Sequence, residues 1–250
     1  METPKHTPPQ LEHLEEFEAL LEDYSPSEAV TDVLRKAPLV VLVGPTGSGR
    51  NTLIDELVKT GNYFMIVSDT TRAPRIVEGE PEQNGKVYWF KTEAEVLEGI
   101  REQDYVEAAV IHRQQVSGAH KREFEKAYQQ GKIALKEIEV QGESTYRSHN
   151  PELKSVFLLP PAFDEWLLRL HKRSKMTNEE LRRRLKSAEQ EIETALSATH
   201  YLFAVNENLA ECTAVVNDIA YGRLNDSAIE DAARDHARQL LIDIQLYLNS

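Results

Sequence analysis

The 250-residue chain carries 29 lysines and arginines against 42 aspartates and glutamates, a formal net charge of −13. It lacks the basic footprint that nucleic-acid backbones and anionic membrane surfaces require, so neither kind of partner is expected. A single cysteine, Cys212, excludes an internal disulfide framework and fits a reducing cytosol. The polar, proline-rich Met1–Gln10 and the lack of any apolar run of about 18 residues predict neither signal peptide nor membrane span.

After a disordered start over residues 1–10, Leu11, Leu14, Phe17 or Ala19, and Leu21 recur at roughly helical spacing. A second helix is predicted over Ser27–Lys36, with Ser27 as its N-cap. Pro38 stops it, and Leu39–Val43 is an unbroken aliphatic strand of the kind buried in parallel sheets. Helix is predicted over Asn51–Thr60, strands over Tyr63–Val67 and Val87–Phe90, and helices over Thr92–Glu102 and Ala119–Gln130. Lys132–Val140 and Ser155–Leu159 read as strands, Phe163–Leu170 and Asn178–Ala195 as helices, Tyr201–Val205 as a strand, and Leu209–Tyr221 as a helix. Alternation of this kind predicts an α/β fold with helices covering a mainly parallel sheet. Ser227–Asn249 is amphipathic, with Ile229, Ala233, Ala237, Leu240, Leu241, Ile244 and Leu248 on one face. It is expected to pack on its own domain or to form a dimer contact, leaving monomer and homodimer both open.

Directly after the Leu39–Val43 strand comes Gly44-Pro45-Thr46-Gly47-Ser48-Gly49-Arg50-Asn51-Thr52, and then a helix. Glycines let the backbone fold around an anion, and a helix N-terminus adds its positive dipole end, so the segment reads as a phosphate-binding P-loop. Two positions depart from that motif. Arg50 stands where a lysine reaches the β/γ-phosphates, and Asn51 where a serine or threonine holds Mg²⁺. Asn51, through a water, or Thr52, if the register shifts, is the candidate magnesium contact. The eight histidines show no ligand spacing, and no structural metal is expected.

A second anion site is suggested by Ser68-Asp69-Thr70-Thr71-Arg72-Ala73-Pro74-Arg75, in which two arginines three apart form a clamp. Glu78-Gly79-Glu80 and Gly85-Lys86-Val87-Tyr88-Trp89-Phe90 follow. From here the chain resembles the guanylate kinase family, with its Ser-x-Thr-Thr-Arg-x-Pro-Arg, Gly-Glu and Tyr-x-Phe elements. Tyr105-Val106-Glu107-Ala108-Ala109, Glu137-Ile138-Glu139-Val140-Gln141-Gly142, Phe157-Leu158-Leu159-Pro160-Pro161 and the arginines Arg169, Arg173 and Arg184 continue the resemblance, over about Leu39–Tyr221.

The resemblance implies a P-loop NTPase-like, three-layer α/β fold with a small GMP-binding subdomain and an α-helical lid. The corresponding boundaries are an N-terminal extension at 1–37 and a kinase-like domain at 38–223. Its monophosphate-binding part falls at about 69–130 and its lid at about 169–195, and a C-terminal helix follows at 224–250. The activity implied is phosphoryl transfer from ATP·Mg²⁺ to GMP or dGMP. Arg72, Arg75 and Tyr88 are implied for the acceptor phosphate, and Ser68, Glu107 and Glu139 for guanine. Arg173 and Arg184, with Arg169 nearby, are implied to close over the transferring group, with Arg50 standing in for the lysine.

Arg113-Gln114-Gln115-Val116-Ser117-Gly118 lacks the tyrosines that the family carries there, leaving Ser117 and Arg113 to replace them. A catalytically weak interaction module of the same fold that binds nucleotide would show departures of this kind too. Arg182, Arg183 and Lys186 read as the solvated face of a helix, and Cys212 as core.

Overall fold

The computed structural model describes the chain apart from residues 1–9, 78, 174–175 and 225–226 and the side chain of Arg173. It opens with α1 (Leu14–Glu22), α2 (Glu28–Lys36), β1 (Leu39–Val43), α3 (Arg50–Lys59), β2 (Tyr63–Met65) and β3 (Asp69–Thr70). There follow β4 (Ile76–Val77), β5 (Glu80–Pro81), β6 (Trp89–Phe90), α4 (Glu93–Arg101), β7 (Tyr105–Ile111), β8 (Gln115–His120) and α5 (Lys121–Gln129). The remainder is β9 (Ile133–Glu137), α6 (Val140–His149), β10 (Lys154–Leu159), α7 (Phe163–Arg173), α8 (Asn178–Ser197), β11 (Tyr201–Val205), α9 (Leu209–Ala220) and α10 (Ser227–Asn249).

These elements form two compact units. One holds the described residues up to Ala37 together with Ile66–Gln130; the other is Pro38–Met65 with Gly131–Ser250. In the second unit a five-stranded sheet runs in the order β11-β10-β1-β9-β2, every pair parallel. Strand β1 lies at its centre, and all five of its side chains are buried, as its unbroken aliphatic sequence requires. Leu53, Ile54 and Leu57 of α3 and Val216 and Ile219 of α9 pack on Val40 and Leu42. The C-terminal helix α10 packs on its own unit, against α8 and β11, and buries Ala233, Ala237, Leu240 and Ile244.

In the first unit a four-stranded sheet runs β6-β3-β8-β7, antiparallel except for the β3/β6 pair. The N-terminal segment is part of this unit's core. Leu11, Leu14 and Phe17 pack with Val96, Leu97 and Ile100 of α4 and with Tyr105 and Val116 of the sheet.

Several sequence expectations are corrected. The helix predicted from Ala119 begins at Lys121, because Ala119 and His120 complete β8; His120 then caps α5, its Nδ1 accepting from the Arg122 amide at 3.2 Å. The strand predicted to Val140 ends at Glu137, and Val140 opens α6, a helix not predicted at all. Ser27 precedes α2, but its hydroxyl makes no capping bond. Thr92 does cap its helix, in a reciprocal capping box with Glu95. The β7–β8 hairpin carries no turn signal in the sequence, because its turn places His112 (φ 52°) and Arg113 (φ 60°) in the left-handed region without a glycine.

Candidate functional site

The Gly44–Gly49 loop leaves the carboxyl end of β1, where open α/β sheets bind their ligands. Two of its glycines are required by close approach as well as by conformation. A Cβ on Gly44 (φ 141°) would stand 2.3 Å from the Leu158 carbonyl oxygen, and one on Gly49 (φ 92°) 2.2 Å from Asn206 Nδ2. Two side chains hold the outside of the loop. Trp166 Nε1 of α7 donates to the Thr46 carbonyl at 2.9 Å, and Asn206 Nδ2 donates to the Ser48 carbonyl at 2.8 Å. In a trans peptide the following N–H points opposite to the carbonyl, so these two bonds also aim the Gly47 and Gly49 amides. Arg169 donates to the Asn206 carbonyl at 3.1 Å and to Glu165 at 2.7 Å, so here it braces the loop's support.

Arg50 opens α3, yet its guanidinium turns along the end of β9. Its Nε lies 3.1 Å from Glu137 Oε1, and its Nη1 donates to the Ile138 carbonyl at 3.4 Å. Asn51 and Thr52 are exposed on the first turn of α3. Glu139 is the N-cap residue of α6 without making a side-chain capping bond. It lines a cleft of about 390 Å³ with Thr46, Glu180, Arg183, Arg184, Ser187 and Glu191. In that cleft Arg184 Nε donates to Glu180 Oε1 at 2.7 Å. Arg183 shares the same carboxylate and is 75% exposed, in keeping with its reading as part of a solvated face. Arg182 instead reaches α10, donating to the Leu248 carbonyl. Burial raises the Glu191 carboxyl, with Glu139 reinforcing the shift and Arg50 opposing it. Among the described residues no group of three or more His, Cys, Asp or Glu side chains could hold a metal ion, so a divalent cation at the loop would take most of its oxygens from phosphate and water. Arg173, which the resemblance assigns to the lid, ends α7, and its side chain lies outside the described residues.

In the other unit, Arg72 is locked on a residue that the sequence did not single out. Its Nη1 and Nη2 donate to the two Glu82 oxygens at 2.6 and 3.1 Å, and Glu82 also accepts from the Arg75 amide at 2.9 Å. The Arg72 hydrogen bonds, then the Arg75 amide, hold the Glu82 carboxyl down at about 2. Arg72 also lies over the rings of Tyr88 (4.9 Å) and Phe90 (5.4 Å). Arg72 and Tyr88 are therefore brought together, and the acid that holds Arg72 is Glu82; Glu78 lies outside the described residues. Arg75 is exposed next to this cluster.

Ser68 leads into β3, and Glu107 sits on β7. Buried Asp69 between Ser68 and Thr70 pairs with Arg122 through both oxygens and accepts from the Tyr105 hydroxyl at 2.7 Å. Ser117 donates to Thr70 Oγ1 at 2.9 Å, so its hydroxyl remains close to the arginine segment. Arg113 lies at the hairpin turn, where it forms an exposed ion pair with Glu18, 3.0 Å away.

A braced glycine loop between a buried parallel strand and a helix, with an arginine-bearing cleft at its side, defines a P-loop nucleotide-binding phosphotransferase. The family model described as guanylate kinase matches residues 36–221. A guanylate kinase of Clostridium tetani is 35% identical over 159 residues, covering 64% of this chain and 74% of that one. One from Sulfurimonas denitrificans is 31% identical over 201 residues, covering 78% and 94%. The crystal structure of guanylate kinase from Anaplasma phagocytophilum superposes with a TM-score of 0.54 at 25% identity, covering 81% of this chain and 92% of that one. The chain belongs to the guanylate kinase family. Among the described residues, no helix is long and apolar enough to cross a membrane.

Proposed function

We propose that the chain transfers the γ-phosphoryl group of ATP·Mg²⁺ to GMP or dGMP, giving ADP and GDP or dGDP. The observation that carries this reading is the loop braced by Trp166 and Asn206, with Arg50 at the start of α3. The Gly47 and Gly49 amides and the α3 N-terminus bind the donor phosphates. Arg50, Arg184 and Arg173 spread positive charge around the transferred group, which develops charge on its equatorial oxygens. When bound, Mg²⁺ would neutralise phosphate charge, and Asn51, Thr52 and Glu137 would hold it, directly or through water.

Arg72, Arg75 and Tyr88 bind the acceptor phosphate, the Arg72 fork being set by Glu82 before the phosphate arrives. Ser68, Glu107 and Glu139 read guanine, whose N1–H and N2–H donors a carboxylate accepts together. No covalent intermediate is needed, since positioning and charge stabilisation carry phosphoryl transfer.

The test is a coupled assay for ADP release from ATP·Mg²⁺ with GMP, dGMP, AMP, CMP and UMP as acceptors. Turnover confined to the guanine nucleotides is expected. Protein that binds GMP but turns over no acceptor would instead be a nucleotide-binding interaction module.

A further inference from the structure

The family match begins at residue 36, so Tyr24, between α1 and α2, lies outside it. Its hydroxyl nevertheless makes two bonds to one residue of the acceptor-binding unit. Tyr24 Oη donates to the Tyr105 carbonyl at 2.7 Å and accepts from the Tyr105 amide at 3.0 Å. Among the described residues strand β7 is the edge of its sheet, with no strand beside Tyr105 on that side, and a single hydroxyl satisfies both of its edge-facing backbone groups.

The place is not an ordinary stretch of strand. The β7–β8 register shifts between Tyr105, opposite His120, and Glu107, opposite Ala119, which is a β-bulge. Bulges re-aim side chains, and a one-residue slip of register turns every side chain beyond it to the other face of the sheet. Glu107 is the first paired residue past this bulge. Tyr105 is held at its other end too, since its own hydroxyl donates to Asp69 at 2.7 Å. Burial pushes the Tyr24 hydroxyl up to about 12 against its bond to Tyr105, with Asp104 and Glu107 adding to the shift, so it stays protonated and able to donate.

We infer that Tyr24 is a positioning residue for acceptor recognition: it pins the Tyr105 side of the bulge and thereby fixes the direction in which β7 presents Glu107. This rests on the reading of Glu107 as a guanine contact. The N-terminal segment is on this account a working part of the acceptor site, acting through the backbone of β7 rather than by touching nucleotide.

The experiment compares Tyr24→Phe, Glu107→Gln, their double variant and Glu16→Gln in the full chain. Tyr24→Phe keeps the ring in its apolar cluster and removes only the hydroxyl. It is expected to raise KM for GMP about fivefold or more with kcat within about twofold, and to lower the GMP-to-AMP ratio of kcat/KM. Amide exchange at Tyr105 should speed up in parallel, reading the bulge directly. In the double variant the Tyr24 effect should shrink, because the hydroxyl acts through Glu107. Glu16→Gln removes the charge from the neighbouring tie of α1 to Arg101 and should leave KM for GMP unchanged. Wild-type KM and unchanged Tyr105 exchange in Tyr24→Phe, beside a raised KM in Glu107→Gln, would overturn the inference. An unaltered KM in Glu107→Gln would overturn the reading of Glu107 itself.

Discussion

Arg50 Nε and Glu137 Oε1 lie 3.1 Å apart, which ties the first residue of α3 to the last residue of β9 at the carboxyl edge of the sheet. Only 17% of the Arg50 side chain is exposed, so the pair is shielded more than a surface ion pair. Arginine here is an anchored fork rather than a mobile point charge, and the same anchoring orders the loop between β9 and α6 that carries Glu139.

Replacing Arg50 by alanine should therefore cut ATP-dependent turnover by about 100-fold or more, the scale of losing one charge-stabilising group in the transition state. Arg50→Lys restores the charge without the fork and should retain activity within about tenfold of wild type. Steady-state kinetics with ATP as the varied substrate decides this. A lysine variant as inactive as the alanine one would show that the fork geometry itself is required.

Trp166→Phe keeps an aromatic ring in the core and removes the bond from Nε1 to the Thr46 carbonyl. The expected cost is about 1 kcal/mol of stability, seen as a fall in Tm of a few degrees, with a rise of a few-fold in KM for ATP and little change in KM for GMP. Equal effects on the two substrates would mean that Trp166 supports the whole fold rather than the loop.

Glu82→Gln should weaken the hold on Arg72 and on the Arg75 amide together, since one carboxylate serves both. KM for GMP is expected to rise about tenfold with kcat nearly unchanged. The loss should be specific to the acceptor: titration with ATP should give wild-type binding. A fall in KM for GMP would show instead that Glu82 competes with the acceptor phosphate for the arginine.

Burial, with Arg122 and Lys121 adding and Asp69 and Asp104 opposing, pushes His120 down to about 4. Its Nδ1 must also stay unprotonated to accept from the Arg122 amide. With a folded value below the unfolded one near 6.5, the unfolded chain binds the proton first. The stability held by neutral His120 is therefore complete above about pH 6.5 and is lost as pH falls towards about 4. Thermal melts from pH 7.5 to 4.5 should show this fall, and His120→Asn, which keeps a capping oxygen, should flatten it. An equally steep fall in that variant would assign the pH dependence to other groups.

Much of this protein was determined by local sequence. Five aliphatic residues followed by Gly44–Gly49 and a helical pattern admit few structures besides a buried strand, an anion loop and a helix, because side-chain period and glycine placement act over short distances. The apolar stripe of α10 was legible for the same reason, whereas the Arg72–Tyr88 pairing came only from the resemblance to a family. Helix α6 was not legible, because Ile138 and Val140 alternate with Glu137 and Glu139 as a strand would, and little of the helix is buried besides Val140, Glu143 and Tyr146.

Tertiary structure alone decided what holds the candidate sites in place. Trp166 reaches Thr46 across 120 residues, Arg50 reaches the Ile138 carbonyl across 88, and Tyr24 reaches Tyr105 across 81. No periodicity records such pairs. Each forms because packing delivers a donor to a backbone carbonyl that must be satisfied once it is shielded from water, and that delivery exists only after the chain has folded.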